Sequence, residues 1–201
     1  MLSLAQRIAE LEKDLSVSPP GFILTSDLPF AIFRYNPSQE DEGEWTVRKE
    51  MRNLATRVEA KGARAVKLLR LSELYWKSID ESESMEAVEL LERSQGFDAA
   101  EDQVHAYLSD DDWKPLPRLV EDRLGVLDPQ HDLVFMYRAG VFAPSAYRVS
   151  ALLEQLLRYR VKVPIVLFYP GVWSGSLNFM GLHHGTEPLG SYRVKIFGRE
   201  E

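Results

Sequence analysis

Two unbroken apolar runs, Leu133 to Tyr137 and Val163 to Tyr169, do most to restrict the fold of this 201-residue chain. Each has strand length and neither alternates with polar residues. Such strands need cover on both faces, as in parallel sheets. Between the runs, Val149, Leu152, Leu153, Leu156 and Leu157 recur at helical spacing, with Ser145 placed to cap that helix. Strand, helix and strand of these lengths form a βαβ unit, with parallel strands joined by a right-handed crossover.

The rest of the chain repeats this grammar. Leu4, Ile8, Leu11 and Leu15 mark an amphipathic helix, and Phe30 to Phe33 the apolar centre of a first strand over 29–35. Val47, Met51, Leu54 and Val58 mark a helix that Gly62 ends, and residues 63–71 a second strand, after which Ser72 is placed to cap a helix through Trp76. Near the end, Tyr192, Val194 and Ile196 alternate with Arg193 and Lys195, the pattern of a half-exposed strand close to a sheet edge. With 45% apolar residues the chain has material for a proper core. The expectation is one α/β domain over residues 1–201, with a mostly parallel sheet of about five strands flanked by helices.

Charge divides the chain unevenly. The formal net charge is −7, yet residues 80–112 hold twelve acidic residues against the single basic Arg93, so the remainder is slightly basic. Met85, Val88 and Leu91, then Val104 and Leu108, keep helical spacing within this segment, with Gly96 between the two sets and Asp98 and Glu101 resembling a capping box. A third short helix is expected over 116–124. Together they predict an acidic helical insert at 80–125. An acidic total argues against a general, high-affinity nucleic-acid binder, and the insert invites a basic partner surface.

Several chemistries are excluded, and others find little support in the sequence. The absence of cysteine removes disulfides, thiolate metal sites and cysteine nucleophiles. No apolar run approaches the roughly 20 residues of a membrane span, and charged residues from Arg7 to Lys13 interrupt the first segment, so a cytoplasmic chain without a signal peptide is expected. The turn after the first strand, residues 36–44, carries one glycine and four carboxylates where a phosphate loop needs glycines and a lysine. No Gly-Lys-Ser/Thr or Gly-x-Gly-x-x-Gly occurs, and Ser174 lacks the frame of a nucleophile elbow. His105, His131, the adjacent His183 and His184, and Asp110 to Asp112 show no metal-ligand spacing. No cofactor, metal or catalytic set is expected.

One pattern survives. In a parallel sheet Arg34 with Tyr35, Arg70, Arg138 and Tyr169 fall near the carboxyl ends of strands, with Arg148 on the following helix within reach, and ligands of open α/β sheets bind at that edge. Arg34, Arg70 and Arg138 are expected on one face, as a site for a carboxylate, a phosphate or an acidic partner surface. Trp173 and Trp45 are candidate partner anchors. The 172–190 stretch, with four glycines and no periodicity, is expected as a long loop.

The C-terminal third carries a resemblance. Tyr137-Arg138-Ala139-Gly140 leads through Val141-Phe142-Ala143-Pro144 to Tyr147-Arg148-Val149-Ser150-Ala151-Leu152-Leu153. Then follow Val163-Pro164-Ile165-Val166-Leu167-Phe168-Tyr169-Pro170-Gly171, Phe179-Met180-Gly181 and Tyr192-Arg193-Val194. This order of motifs resembles the BrxB family, small proteins encoded in BREX bacteriophage-exclusion systems. The resemblance implies a cytoplasmic component of an anti-phage defence system that also holds a methyltransferase, a phosphatase-like PglZ protein and an ATPase. It brings no catalytic residues. Its leading implication is a non-enzymatic interaction protein docking onto a larger BREX component, the PglZ-type protein first, with no membrane partner. The alternative is a nucleotide- or nucleic-acid-binding protein with a degenerate NTPase-like core lacking a P-loop. A hydrolase built on the 171–190 loop is a third reading, without an identified substrate.

Overall fold

The computed structural model describes residues 2–25, 28–143, 145, 147–182 and 194–198. Of the expected features, His183, His184, Gly185, Gly190, Tyr192 and Arg193 lie outside the described residues. The chain divides into two compact units, Met1–Leu69 with Asp128–Gly140 and Lys162–Glu201, and Arg70–Leu127 with Val141–Val161.

The first unit carries a six-stranded, mostly parallel sheet. Its strands are β1 (Phe30–Tyr35), β2 (Ala65–Arg70), β3 (Asp132–Tyr137), β4 (Ile165–Trp173), β5 (Leu177–Phe179) and β6 (Lys195–Phe197), in the order β2-β3-β4-β1-β6. β4 runs parallel to β3 and β1, and β1 parallel to β6, while β5 folds back antiparallel on β4. The three strands with continuous apolar runs, β3, β4 and β1, are the inner ones, since only an inner strand covers such a run on both faces. Helices α1 (Leu4–Leu15), α2 (Gly21–Thr25) and α3 (Glu44–Ala60) belong to this unit. The apolar stripes of α1 and α3 pack in one core cluster with Phe33, Phe135 and Phe168 of the sheet. Gly62, at φ +67°, ends α3 as the spacing predicts.

Two short elements, α2 and β5, have no periodic signal because five and three residues are too few to show one. β5 makes the sheet six-stranded where about five strands are expected. Its hairpin explains Gly171: a Cβ there would lie 2.6 Å from Asn178 O and 2.7 Å from the Tyr169 ring. Gly171→Ala is expected to cost about 1–3 kcal/mol, because a backbone oxygen in a ladder cannot step aside. An unchanged urea midpoint would show slack in this hairpin. At one edge of the sheet, β6 buries Phe197 and leaves Ile196 half-exposed.

The second unit is helical: α4 (Leu71–Ser82), α5 (Met85–Gln95), α6 (Phe97–Ser109), α7 (Leu116–Leu124) and α8 (Val149–Arg158). The 80–125 segment lies within it, together with α8 and the start of α4. α6 packs against α4, α5 and α7, and α7 against α8. Edge-on ring contacts hold it together, Tyr107 with Trp113 at 4.8 Å and Tyr75 with Phe142 at 5.6 Å. Buried Ser78 donates to Lys114 O at 2.6 Å. Three expected caps are placed differently. α6 starts straight from Gly96, whose φ of +93° turns the chain without a side-chain cap, so Asp98 sits inside the first turn. α4 follows β2 directly with Ser72 already helical, and Ser145 accepts from Tyr147 N in the approach to α8. Ser84, capping α5 through Ala87 N, is the cap this unit does use.

Tyr107 makes the unit sensitive to alkali. Its hydroxyl donates to Glu83, and burial, then the facing carboxylate, push its pKa up to about 12. The folded state therefore holds this proton more tightly than the unfolded chain. The stabilisation is fully present below pH 10, the ordinary tyrosine value, and is lost as pH rises towards 12. Tyr107→Phe is expected to lose about 1 kcal/mol at neutral pH. That deficit should shrink between pH 10 and 12 in urea titrations; a deficit constant with pH would contradict the assignment.

Candidate functional site

The carboxyl ends of β1 and β3 bring together the chemically richest side chains of the first unit. β1 ends in Arg34 and Tyr35, whose side chains point to opposite faces as in any strand. Tyr35 belongs to the core cluster, and its hydroxyl donates to Glu44 in the first turn of α3. Burial, then the Glu44 carboxylate, raise the Tyr35 pKa, while Arg138 and Arg48 pull it back. Tyr35 thus remains a neutral donor. Arg48 stands one helical turn beyond Glu44, with Nε 3.7 Å from its carboxylate. Arg138 directly follows β3, exposed and at φ +65°, a left-handed conformation uncommon for arginine.

Arg34 has a different role. It is 2% exposed and opposite Tyr169 in the β1–β4 register. Its Nε donates to Gly198 O at 2.7 Å, just past β6, and its Nη1 lies 3.5 Å from Gly171 O. It braces the sheet edge. A second buried arginine, Arg7 of α1, donates to Arg34 O at 2.7 Å and pairs with Glu42, which also accepts from Asn36 N. The acidic turn after β1, expected only to repel phosphate, therefore uses two of its carboxylates internally, Glu42 on Arg7 and Glu44 on Tyr35.

The expected site residues fall in different settings. Arg34 and Tyr169 are buried neighbours, the Tyr169 ring edge-on to Phe179 at 5.4 Å. Trp173 ends β4, opposite Leu177 of β5. Arg138 shares the surroundings of Tyr35. Arg70 and Arg148 belong to the second unit, Arg70 paired with Glu73 and Arg148 exposed ahead of α8. Trp45 is 68% exposed, with Lys49 Nζ 5.7 Å from its ring centre. Among the described residues, no group of three or more His, Asp or Glu side chains converges as a metal site would, and no helix is long and apolar enough to cross a membrane. What the strand ends offer is cationic charge from the exposed Arg138 and the partly exposed Arg48, the buried Tyr35 hydroxyl being committed to Glu44.

Sequence reasoning left out the Arg7–Glu42 pair and the Tyr35–Glu44 bond. Arg7 had a visible signal, since it falls among Leu4, Ile8 and Leu11 on the apolar side of α1, where a cation needs a buried partner.

No curated protein and no solved structure matches the chain. The family model described as BREX protein BrxB matches residues 67–194, more than half of the chain and both of its units. The chain belongs to the BrxB family and is a component of a BREX defence system.

Proposed function

We propose that the protein is a non-enzymatic docking component that binds a larger BREX protein, with the PglZ-type protein as first partner and the methyltransferase or ATPase next. The observation that carries this reading is the surface chemistry of the second unit. Residues 80–112 hold twelve acidic residues, eight of them on α4, α5 and α6, and these short helices also expose Trp76, Leu90 and Phe97. Exposed aromatics and aliphatics within a charged field are the makings of a protein interface. The brace made by Arg34 supports the same reading, because that cation already serves two backbone carbonyls. Tagged protein co-expressed with each BREX component is expected to co-purify with the PglZ-type protein; recovery with none of them would reject the proposal.

A second reading rests on a specific observation in the first unit. Trp45, Lys49, Arg48 and Arg138 offer an exposed ring and cations around the carboxyl ends of β1 and β3, as a nucleotide or single-strand binder would use. A mobility shift that weakens steeply with salt and disappears in Trp45→Ala would favour it. No shift at low salt would dismiss it.

A further inference from the structure

We propose that the outer side and tip of the α5–α6 hairpin form a docking surface for a basic amphipathic helix of a partner protein, an inference that rests on the docking reading above. α5 has eleven residues and buries only Val88. A helix that short is marginal in water unless one face is packed. α5 and α6 pack on each other, and Val88 lies with the half-covered Ala87 and Leu91 on one side of α5. Leu90 stands roughly 160° around the helix from Val88, and it is 68% exposed. Phe97, the first residue of α6, is 60% exposed, although it shares the side of Val104 and buried Leu108. The apolar side of α6 thus runs out of cover at the hairpin tip. Single exposed apolar residues are ordinary; here one hairpin carries two bulky ones, Leu90 midway along α5 and Phe97 directly after Gly96.

Charge selects the occupant. Glu86, Glu89, Glu92, Asp98 and Asp102 are exposed on the hairpin, and its one arginine, Arg93, is already paired with Glu89. Residues 85–109 carry six acids against that arginine, a net −5. A second copy presenting the same hairpin would bring like charge against like, and a nucleic acid would be repelled. A helix with leucines at i, i+3 and i+7 flanked by lysines or arginines meets both needs, apolar anchors for Leu90 and Phe97 and cations for the rim.

The test uses the full chain with an amphipathic Lys/Leu peptide of about 18 residues, long enough to form a helix on binding, and its Glu/Leu counterpart. The Lys/Leu peptide is expected to slow hydrogen exchange in α5 and the tip, with affinity falling as salt rises. A Leu90→Ser/Phe97→Ser protein with unchanged circular dichroism should bind it about tenfold more weakly, a loss typical of anchor residues. Equal binding of the Glu/Leu peptide, protection elsewhere, or unaltered affinity of the double variant would overturn the proposal. So would a wild-type dimer that the double variant dissolves, since the occupant would then be a second copy. If the double variant still co-purifies with the BREX protein that retains the wild type, this surface fails while the docking reading stands. If the wild type retains none, the docking reading itself fails.

Discussion

Arg7→Leu is expected to destabilise the protein by about 3–5 kcal/mol, a large part of the 5–15 kcal/mol that holds an ordinary domain together. The guanidinium is 1% exposed and faces a Glu42 carboxylate that is 4% exposed. It also donates to Arg34 O and lies 5.7 Å from the Phe33 ring centre. Removing it leaves Glu42 charged, buried and without its cation, next to a carbonyl that has lost a donor. Most of the cost is this stranded charge rather than the worth of the pair itself. Glu42→Leu should therefore also destabilise, by orphaning the cation, and the double variant Arg7→Leu/Glu42→Leu should recover part of the loss. Recovery should be incomplete, because Asn36 N still loses its acceptor. Urea curves for the four proteins give the coupling directly. Single variants within about 1 kcal/mol of wild type would show that water reaches the pair.

This pair also marks where the sequence stops being legible. The inner strands are readable because Phe30 to Phe33, Leu133 to Tyr137 and Val163 to Tyr169 are local patterns, each needing two covered faces whatever its neighbours are. Their order is not readable, since placing β1 between β4 and β6 depends on pairings across more than 130 residues, such as Phe33 with Phe168. Helix α1 shows the same divide. Leu4, Ile8, Leu11 and Leu15 announce the stripe, yet Arg7 and Asp14 are buried on the same side, Asp14 accepting from Lys195 at 3.0 Å. The helix is visible from spacing; the partners, Glu42 and Lys195, are supplied by distant chain. At the candidate site, the position of Arg34 at a strand end follows from the sequence. Its task does not, because the two carbonyls it serves belong to Gly171 and Gly198. The acidic character of the second unit is wholly legible, as composition requires no partner to be seen.

Phe168→Ala is the second change expected to have a large effect, about 3–5 kcal/mol, as for other buried aromatic rings cut to a methyl group. Phe168 is 1% exposed on β4, between the two strands that flank it. Its ring centre lies 5.2 Å from Phe33, its register partner on β1, and 5.3 Å from Phe135, diagonally placed on β3. One side chain thus joins three strands, and tilted and edge-on rings at these distances add to the area they bury. Collapse around the smaller residue is restricted, because each neighbouring ring is anchored on a strand whose backbone is already paired. Phe168→Leu, which refills most of the space, should lose distinctly less than alanine. A loss below about 1 kcal/mol for alanine would mean that the core relaxes into the void. Equal losses for leucine and alanine would place the cost in ring-to-ring contact rather than in the cavity, and would make the aromatic ladder, more than burial alone, what holds β1, β4 and β3 in register.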